Sequence, residues 1–406
     1  MKTLLTLERL KGGEVLDRRR QYSRSFTIGL MQLLYIHHAQ ILESAPYAAT
    51  DIIGALRNLD TSSYSTSLAT EFVLKGTLRT SGPSGAGGIF IPAGAFAYGD
   101  SSYFPVHYPH MWLPGHALGL AVGIDGSAPS PTDYAVKQAV FHGKGGAVAP
   151  GSTMEIYNTG DNSNYNAYGS DRWCGAFFVA SRGFRLTSVL LKMYRTGSPG
   201  TLVISIRGLA PNYSTNYGRE QNAIVSQTTD GNTLTNVSPG EWREVIFPSG
   251  IDVYPGIVYC IDLMAPSGDS SNYVNLRLNN AANHPRYGAY NKTGPTSYAY
   301  TQTSCPMFEA RGSANPELEY GATEIFGLSI VNPNGQFNIR RLFTNNSGSA
   351  ITVQECGIYA VATRYFVTTT MGQAYAHCIA RDQVAPGVTV NNGEVLAVTY
   401  TPQITV

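Results

Sequence analysis

Short runs in which apolar and polar residues alternate recur along most of this chain. LLTLERL (4–10) alternates in the manner of a strand with one buried face. Lys11, Gly12 and Gly13 predict a turn, and EVLDRRRQYSRSF (14–26) predicts the return strand of a hairpin. One segment breaks the pattern. FTIGLMQLLYIHHAQIL (26–42) is apolar apart from residues such as His37, His38 and Gln40. It falls short of the ~20 apolar residues that a membrane span needs. It predicts a buried or oligomer-facing helix, with Ser25 as its N-cap.

ATEFVLKGTLRT (69–80) reads as a further strand, and SGPSGAGG (81–88) as a flexible loop. That loop lacks the Lys-Ser/Thr ending of a phosphate-binding loop. From about residue 152 the texture changes to many short alternating strands with turns every 8–12 residues, the mark of a β-sandwich. The clearest strands are 188–194, 202–207, 241–247, 257–264 and 273–278, punctuated by Ser198-Pro199-Gly200, Asp230-Gly231, Pro239-Gly240 and Pro255-Gly256. Near Arg311 the texture changes back, and 338–406 reads as a second all-β stretch.

Composition agrees with a β protein. The 406 residues include 43 Gly, 26 Tyr and 22 Pro, and charged residues make up 14%, well below the roughly 25% of an average globular domain. A hydrophobic fraction of 43% is too high for a disordered chain. The net charge of +1 gives no electrostatic reason to expect nucleic-acid binding. Charge is uneven locally: Lys2, Arg9, Lys11, Arg18, Arg19, Arg20 and Arg24 face only Glu8, Glu14 and Asp17 in the first 24 residues. That arm is either a solvated strand face or a docking surface for an acidic partner. No signal peptide is visible, so ordinary secretion is not expected. Cys174, Cys260, Cys305, Cys356 and Cys378 lack metal-finger spacing. They read as free buried thiols, with one disulfide among the first three as the alternative.

Chemistry-bearing clusters are few. His107, His110 and His116 lie in HYPHMWLPGH but match no helical zinc motif, and the stretch reads as an aromatic contact loop. Asp161, Asn162, Asn164 and Asp171 offer oxygen ligands of the kind calcium takes, outside any EF-hand pattern, or form a polar turn. Tyr273, Asn275 and Arg277 recur at period two and so share a strand face, with Asp269 nearby. An aromatic beside planar polar groups is what a glycan contact wants; an ordinary solvated face is the other reading. Glu241 and Glu244 flank Trp242, but no glycosidase pair, nucleophile elbow or catalytic triad can be assigned. No cofactor is expected.

Several segments carry a family resemblance. FTNNSGSAITVQECGIYA (343–360) with CIARDQVAPGVTVNNGEVLAVTYTPQITV (378–406) resembles the C-terminal half of a β-domain of tailed-bacteriophage virion structural proteins. VGIDGSAPSPTDYAVKQAVFHG (122–143) resembles the matching N-terminal half, and RQYSRSFTIGLMQLLYIHHAQI (20–41) the opening of such proteins. GFRLTSVLLKMYRTGSPGTLVISIRG (183–208), 228–247 and 254–278 resemble jelly-roll-like modules appended to phage and bacterial surface proteins.

The resemblance implies a mainly β chain in three parts: an arm and helix (1–60) for anchoring or oligomerisation, a split sandwich or barrel-like virion domain (61–151 and 313–406), and an inserted jelly-roll-like sandwich (152–312). It implies a non-enzymatic protein of the virion, assembled in the host cytoplasm. Its partners would be copies of itself, other virion proteins and host glycans, with no membrane span. A tail or fibre position is expected; capsid decoration is the alternative, and a polysaccharide depolymerase the third. Glycan contact falls to Tyr273, Asn275 and Arg277. Assembly contact falls to Arg18, Arg19, Arg20, Arg24, Leu33, Leu34 and Tyr35.

Overall fold

The computed structural model describes residues 2–23, 27, 47–50, 54, 56–59, 89–90, 119–210, 218–219, 223–255, 258–282, 284–292, 298–301, 303–331, 334–365 and 372–405. The helix expected over 26–42 (Thr27 apart), the strand over 69–80, the loop 81–88 and the histidine loop with His107, His110 and His116 lie outside the described residues. So do Arg24, Leu33, Leu34 and Tyr35.

In chain order the strands are β1 (Lys2–Lys11), β2 (Glu14–Ser23), β3 (Tyr47–Thr50), β4 (Leu56–Leu59), β5 (Ile89–Phe90), β6 (Gly119–Gly123) and β7 (Ala139–Val140). Next come β8 (Val148–Tyr157), β9 (Ser163–Ala167), β10 (Trp173–Val179), β11 (Phe184–Thr196), β12 (Thr201–Ala210), β13 (Gly218–Arg219) and β14 (Val225–Asp230). After one 3-10 turn follow β15 (Glu241–Val253), β16 (Val258–Met264), β17 (Tyr273–Asn279), β18 (Tyr287–Lys292), β19 (Tyr298–Thr301), β20 (Cys305–Pro306) and β21 (Phe308–Ala314). The last are β22 (Glu319–Val331), β23 (Asn334–Thr344), β24 (Ile351–Tyr365), β25 (Gly372–Val390) and β26 (Val395–Thr405). The described residues are thus mainly β. The ladders are antiparallel, and no described sheet closes into a barrel. Contacts divide the chain into two compact units, Met1–Ala147 with Asn315–Val406, and Val148–Ala314.

In the first unit, one sheet runs β2-β1-β26-β23-β22 and another β25-β24-β6-β7, with β5 on β24. Alternation on β1 explains why they pack. Leu5 and Leu7 are fully buried beside Val398, Tyr400, Ile339 and Phe343, and meet Leu120, Val122 and Ile358 of the other sheet. The first 23 residues are therefore two strands of this sandwich rather than part of a separate arm. Lys11 pairs with Glu14 across a two-residue turn. Gly12 and Gly13 have φ of 57° and 90°, the left-handed values of the turn that matches strand twist.

The other sheet's outer face is covered by the segment 124–138, between β6 and β7. On β24, Cys356, Ile358 and Ala360 enter the core, so Glu355, Gly357 and Tyr359 point outward. Arg381 of β25 stands opposite Gly357. Its Nε donates to Glu355 Oε2 at 2.6 Å and its Nη1 to Asp133 Oδ2 at 2.8 Å. Its second terminal nitrogen reaches the Ser127 carbonyl at 3.3 Å. The Lys137 amide also donates to Glu355 Oε2, at 3.0 Å, and the Val136 amide to the Tyr359 hydroxyl, at 2.8 Å. Only glycine fits at 123: a Cβ there would lie 2.7 Å from the Lys137 carbonyl oxygen. The segments 122–143, 343–360 and 378–406 thus meet at one guanidinium held by two carboxylates.

Both members of the Arg381–Glu355 pair are wholly buried. Burial pushes the Glu355 carboxyl up to about 7, against the downward pull of Arg381 and the Lys137 amide. Among the described residues Oε1 has no hydrogen-bond partner, so one carboxylate oxygen goes unsolvated.

The second unit is sandwich-like. One sheet runs β13-β12-β16-β10-β18-β19 with β14 on β12, and the other β20-β17-β11-β21-β8 with β15 on β11 and β9 on β17. Phe178 of β10 stacks on Tyr259 at 5.7 Å between centroids and meets Phe308 of the other sheet at 5.9 Å. All five cysteines of the chain are buried and free.

Two outcomes are expected. At pH 8, above the Glu355 value of about 7, Arg381→Leu leaves Glu355 and Asp133 without their shared cation and lowers unfolding free energy by about 3–5 kcal/mol, measurable by urea denaturation. Glu355 holds in the folded state, up to pH about 7, a proton that it loses near 4.5 when unfolded. Its contribution is fully present below 4.5 and is lost as pH rises through 7. The stability of wild type minus that of Glu355→Gln should therefore fall between pH 5 and pH 8, by on the order of 1–3 kcal/mol. His142 and His284, held low by burial, act in the opposite sense but are shared by both proteins.

Candidate functional site

β17 supplies the residues that sequence spacing put on one face. Val274, Leu276 and Leu278 are in the core, so Tyr273, Asn275 and Arg277 face outward. The three do share a face, but two of them are engaged. Asn275 is 3% exposed and Arg277 8%. Asn275 accepts from Asn164 Nδ2 at 2.9 Å and donates to Thr196 Oγ1 at 3.1 Å. Arg277 Nε donates to Asp161 Oδ1 at 2.5 Å and its Nη2 to the Asp161 carbonyl at 3.1 Å. Tyr273 is half-buried, its ring 6.1 Å from that of Tyr168.

Asp161 organises this face. Its second oxygen accepts from Lys192 Nζ of β11 at 2.5 Å. Burial pushes its carboxyl up, but hydrogen bonds and charge from Lys192 and Arg277 outweigh this and leave it below the usual range. Two cations therefore occupy the carboxylate that sequence reading offered to calcium. Asp171 pairs instead with Lys292 at 3.1 Å. Asn162 caps the end of β17, accepting from the Asn280 amide at 3.0 Å. Asp269 closes an exposed turn, accepting from the amides of Ser271 and Asn272 at 2.7 and 2.9 Å.

The exposed aromatic of this face is Trp242. It lies on β15, opposite Lys192, and is 39% exposed. A continuous line thus runs from Trp242 through Lys192 and Asp161 to Arg277. The two-residue alternation of 241–247 carried the signal for Trp242, since Val245 and Phe247 go inward. Its neighbours Glu241 and Glu244 lie on opposite faces of β15, each engaged by other side chains. Glu241 binds Arg243 at 2.6 Å. Glu244 accepts from Ser188 Oγ at 2.7 Å, and Arg311 lies 3.7 Å away. Arg311 in turn donates to Glu309 at 2.7 Å. What this line offers is an apolar ring plane beside fixed donors and acceptors, the equipment for holding a polyhydroxylated ligand.

The basic residues of β2 are sorted by the same alternation. Arg18 pairs with Glu8 at 2.6 Å on the outer face of the first unit. Arg19 points the other way and donates to the carbonyls of Pro386 and Gly387 at 2.5 and 3.1 Å, tying the two sheets together. Arg20 is exposed on the outer face.

Asp161→Ala leaves Lys192 and Arg277 without their shared carboxylate. It should cost about 1–3 kcal/mol in urea denaturation, and Asp161→Asn less, since the amide oxygen still accepts.

No protein-family model matches this chain, and no curated protein matches it.

Proposed function

We propose that this chain is a non-enzymatic structural component of a tailed-phage virion, exposed on the particle as part of the tail or its fibres. The 148–314 unit is read as a jelly-roll-like module inserted into a virion β-domain and presented outward for contact with host-surface glycans. The partners are further copies of the chain, other virion proteins and those glycans, and no cofactor is involved. The observation that carries the reading is the Trp242–Lys192–Asp161–Arg277 line on an outer sheet face. It is a ring plane with rigid polar neighbours. Each of its carboxylates and cations is already satisfied, as suits adhesion rather than turnover. The resemblance of 122–143, 343–360 and 378–406 to virion β-domains supports the setting.

Antibody against residues 148–314 should label intact particles at the tail. Uniform labelling of the head would favour capsid decoration, and no labelling would sink the virion reading. The full chain should bind polysaccharide from the host surface on a glycan array, and Trp242→Ala should weaken that binding about tenfold or more, as the loss of an aromatic platform does. Equal binding by wild type and variant would remove Trp242 from the contact. Shortening of the polysaccharide during the assay would point to the depolymerase.

A further inference from the structure

The β2-β1-β26-β23-β22 sheet turns one face to the core, and its other face carries exposed apolar side chains. Among the described residues twelve large hydrophobic side chains are exposed, and seven of them lie on strands of this sheet. They concentrate at its two edges. On the outer face Val15 and Tyr22 stand on β2, Phe326 on β22 and Leu342 on β23 beside it, whereas Ile330, opposite Gly335, turns to the other side. The middle of the face is low: Thr6, Ala397, Thr399 and Thr401 lie between these ridges.

Register adds a second pattern. Arg20, Thr6, Thr399, Arg340 and Glu324 are successive partners across all five strands. An exposed cation thus ends the row on β2, and an exposed anion ends it on β22. The adjacent outward row begins with Tyr22, Leu4 and Thr401. Thr401 donates to Asn338 Oδ1 at 2.8 Å, and Asn338 stands opposite Phe326. Each edge therefore carries a charge and, two residues on, an aromatic ring, at the same height.

We infer that this face is a two-fold interface between two copies of the chain. A two-fold axis parallel to the strands lays β2 of one copy over β22 of the other and keeps every row at its own height. Arg20 then meets Glu324, and Tyr22 meets Phe326, twice over by symmetry. Arg18 is already matched by Glu8, and Arg340 falls over the partner's Thr6, so no like charges are opposed. Packed sheets cross at up to about 30°, a stagger that the long Arg20 side chain spans. Five strands about 4.8 Å apart and about nine residues long give a face of roughly 700 Å², close to the ~800 Å² per partner of a stable complex. A two-fold axis perpendicular to the strands would instead set Arg20 near Arg20. The inference deepens the proposed function by locating the surface through which copies of the chain meet, and rests on it only for where the dimer sits.

The test is sedimentation equilibrium of the full chain from about 1 to 100 μM, a range that brackets weak and stable homodimers. The expected result is a dimer. Phe326→Glu, at an exposed position of the outer face, should keep the β circular dichroism of the wild type and weaken dimerisation about tenfold or more. Arg20→Glu and Glu324→Arg should each weaken it, and the double variant Arg20→Glu/Glu324→Arg should restore it. A monomeric wild type would overturn the interface while leaving the particle labelling to judge the virion reading. Single charge variants that dimerise as the wild type does would also overturn it, as would a double variant no better than the singles.

Discussion

A β-sheet has two faces, and packing two sheets together covers only one face of each. The physical problem of a chain built almost wholly from antiparallel sheets is what becomes of the remaining faces. Each treatment seen here answers it differently. In the first unit, the sheet of β24 and β25 has its outer face roofed by the 124–138 segment, which brings carboxylate, amide and carbonyl groups down onto a buried guanidinium. In the second unit, the face of β11 and β17 is stitched by charge: one carboxylate holds two cations in place across neighbouring strands. The outer face of the β1–β26 sheet carries polar links such as Arg18–Glu8 and Thr401–Asn338 with exposed apolar side chains at its edges. A face that exposes Val15, Tyr22, Phe326 and Leu342 invites a partner.

Arg381 illustrates why such a roof is stable yet discriminating. Taking a guanidinium and two carboxylates out of water is costly, and well-fitted hydrophobic residues could replace them with little loss. What the charges add is register. Glu355 and Asp133 come from places 26 and 248 residues away from Arg381, and only the correct seating of the segment satisfies all three. The orphan oxygen of Glu355 marks where that satisfaction is incomplete. Asp161 does the same with lower stakes, because its partners retain some contact with water.

Much of this architecture could be read from alternation. The opening hairpin was legible in LLTLERL and its Gly-Gly turn, as were the strands of 188–194, 202–207 and 273–278, because period two is a local property. The joining of that hairpin to β26 was not, since strand pairing depends on which distant edge fits. The shared face of Tyr273, Asn275 and Arg277 was predictable from spacing. Their engagement was not, because Asp161 and Asn164 reach them from another strand's approach. Trp242 was passed over for the opposite reason: its flanking glutamates drew attention to catalysis, whereas its own exposure at a sheet edge is what sets it apart. Arg381 had no signal at all, as an Arg-Asp dipeptide in an apolar strand looks like any surface pair.

The pairing of Leu5 with Tyr400 spans nearly the whole chain. Sheets closed by such distant partners form slowly, since a long loop must be ordered before any contact repays it. As the polypeptide leaves the ribosome, β1 and β2 emerge long before their core neighbours on β26. The continuous 148–314 stretch has no such wait and can collapse while the remainder is still being made. During that interval Leu5 and Leu7 have no core to enter, and the nascent hairpin exposes its apolar side. Order of synthesis thus makes an early-made hairpin late to find its place.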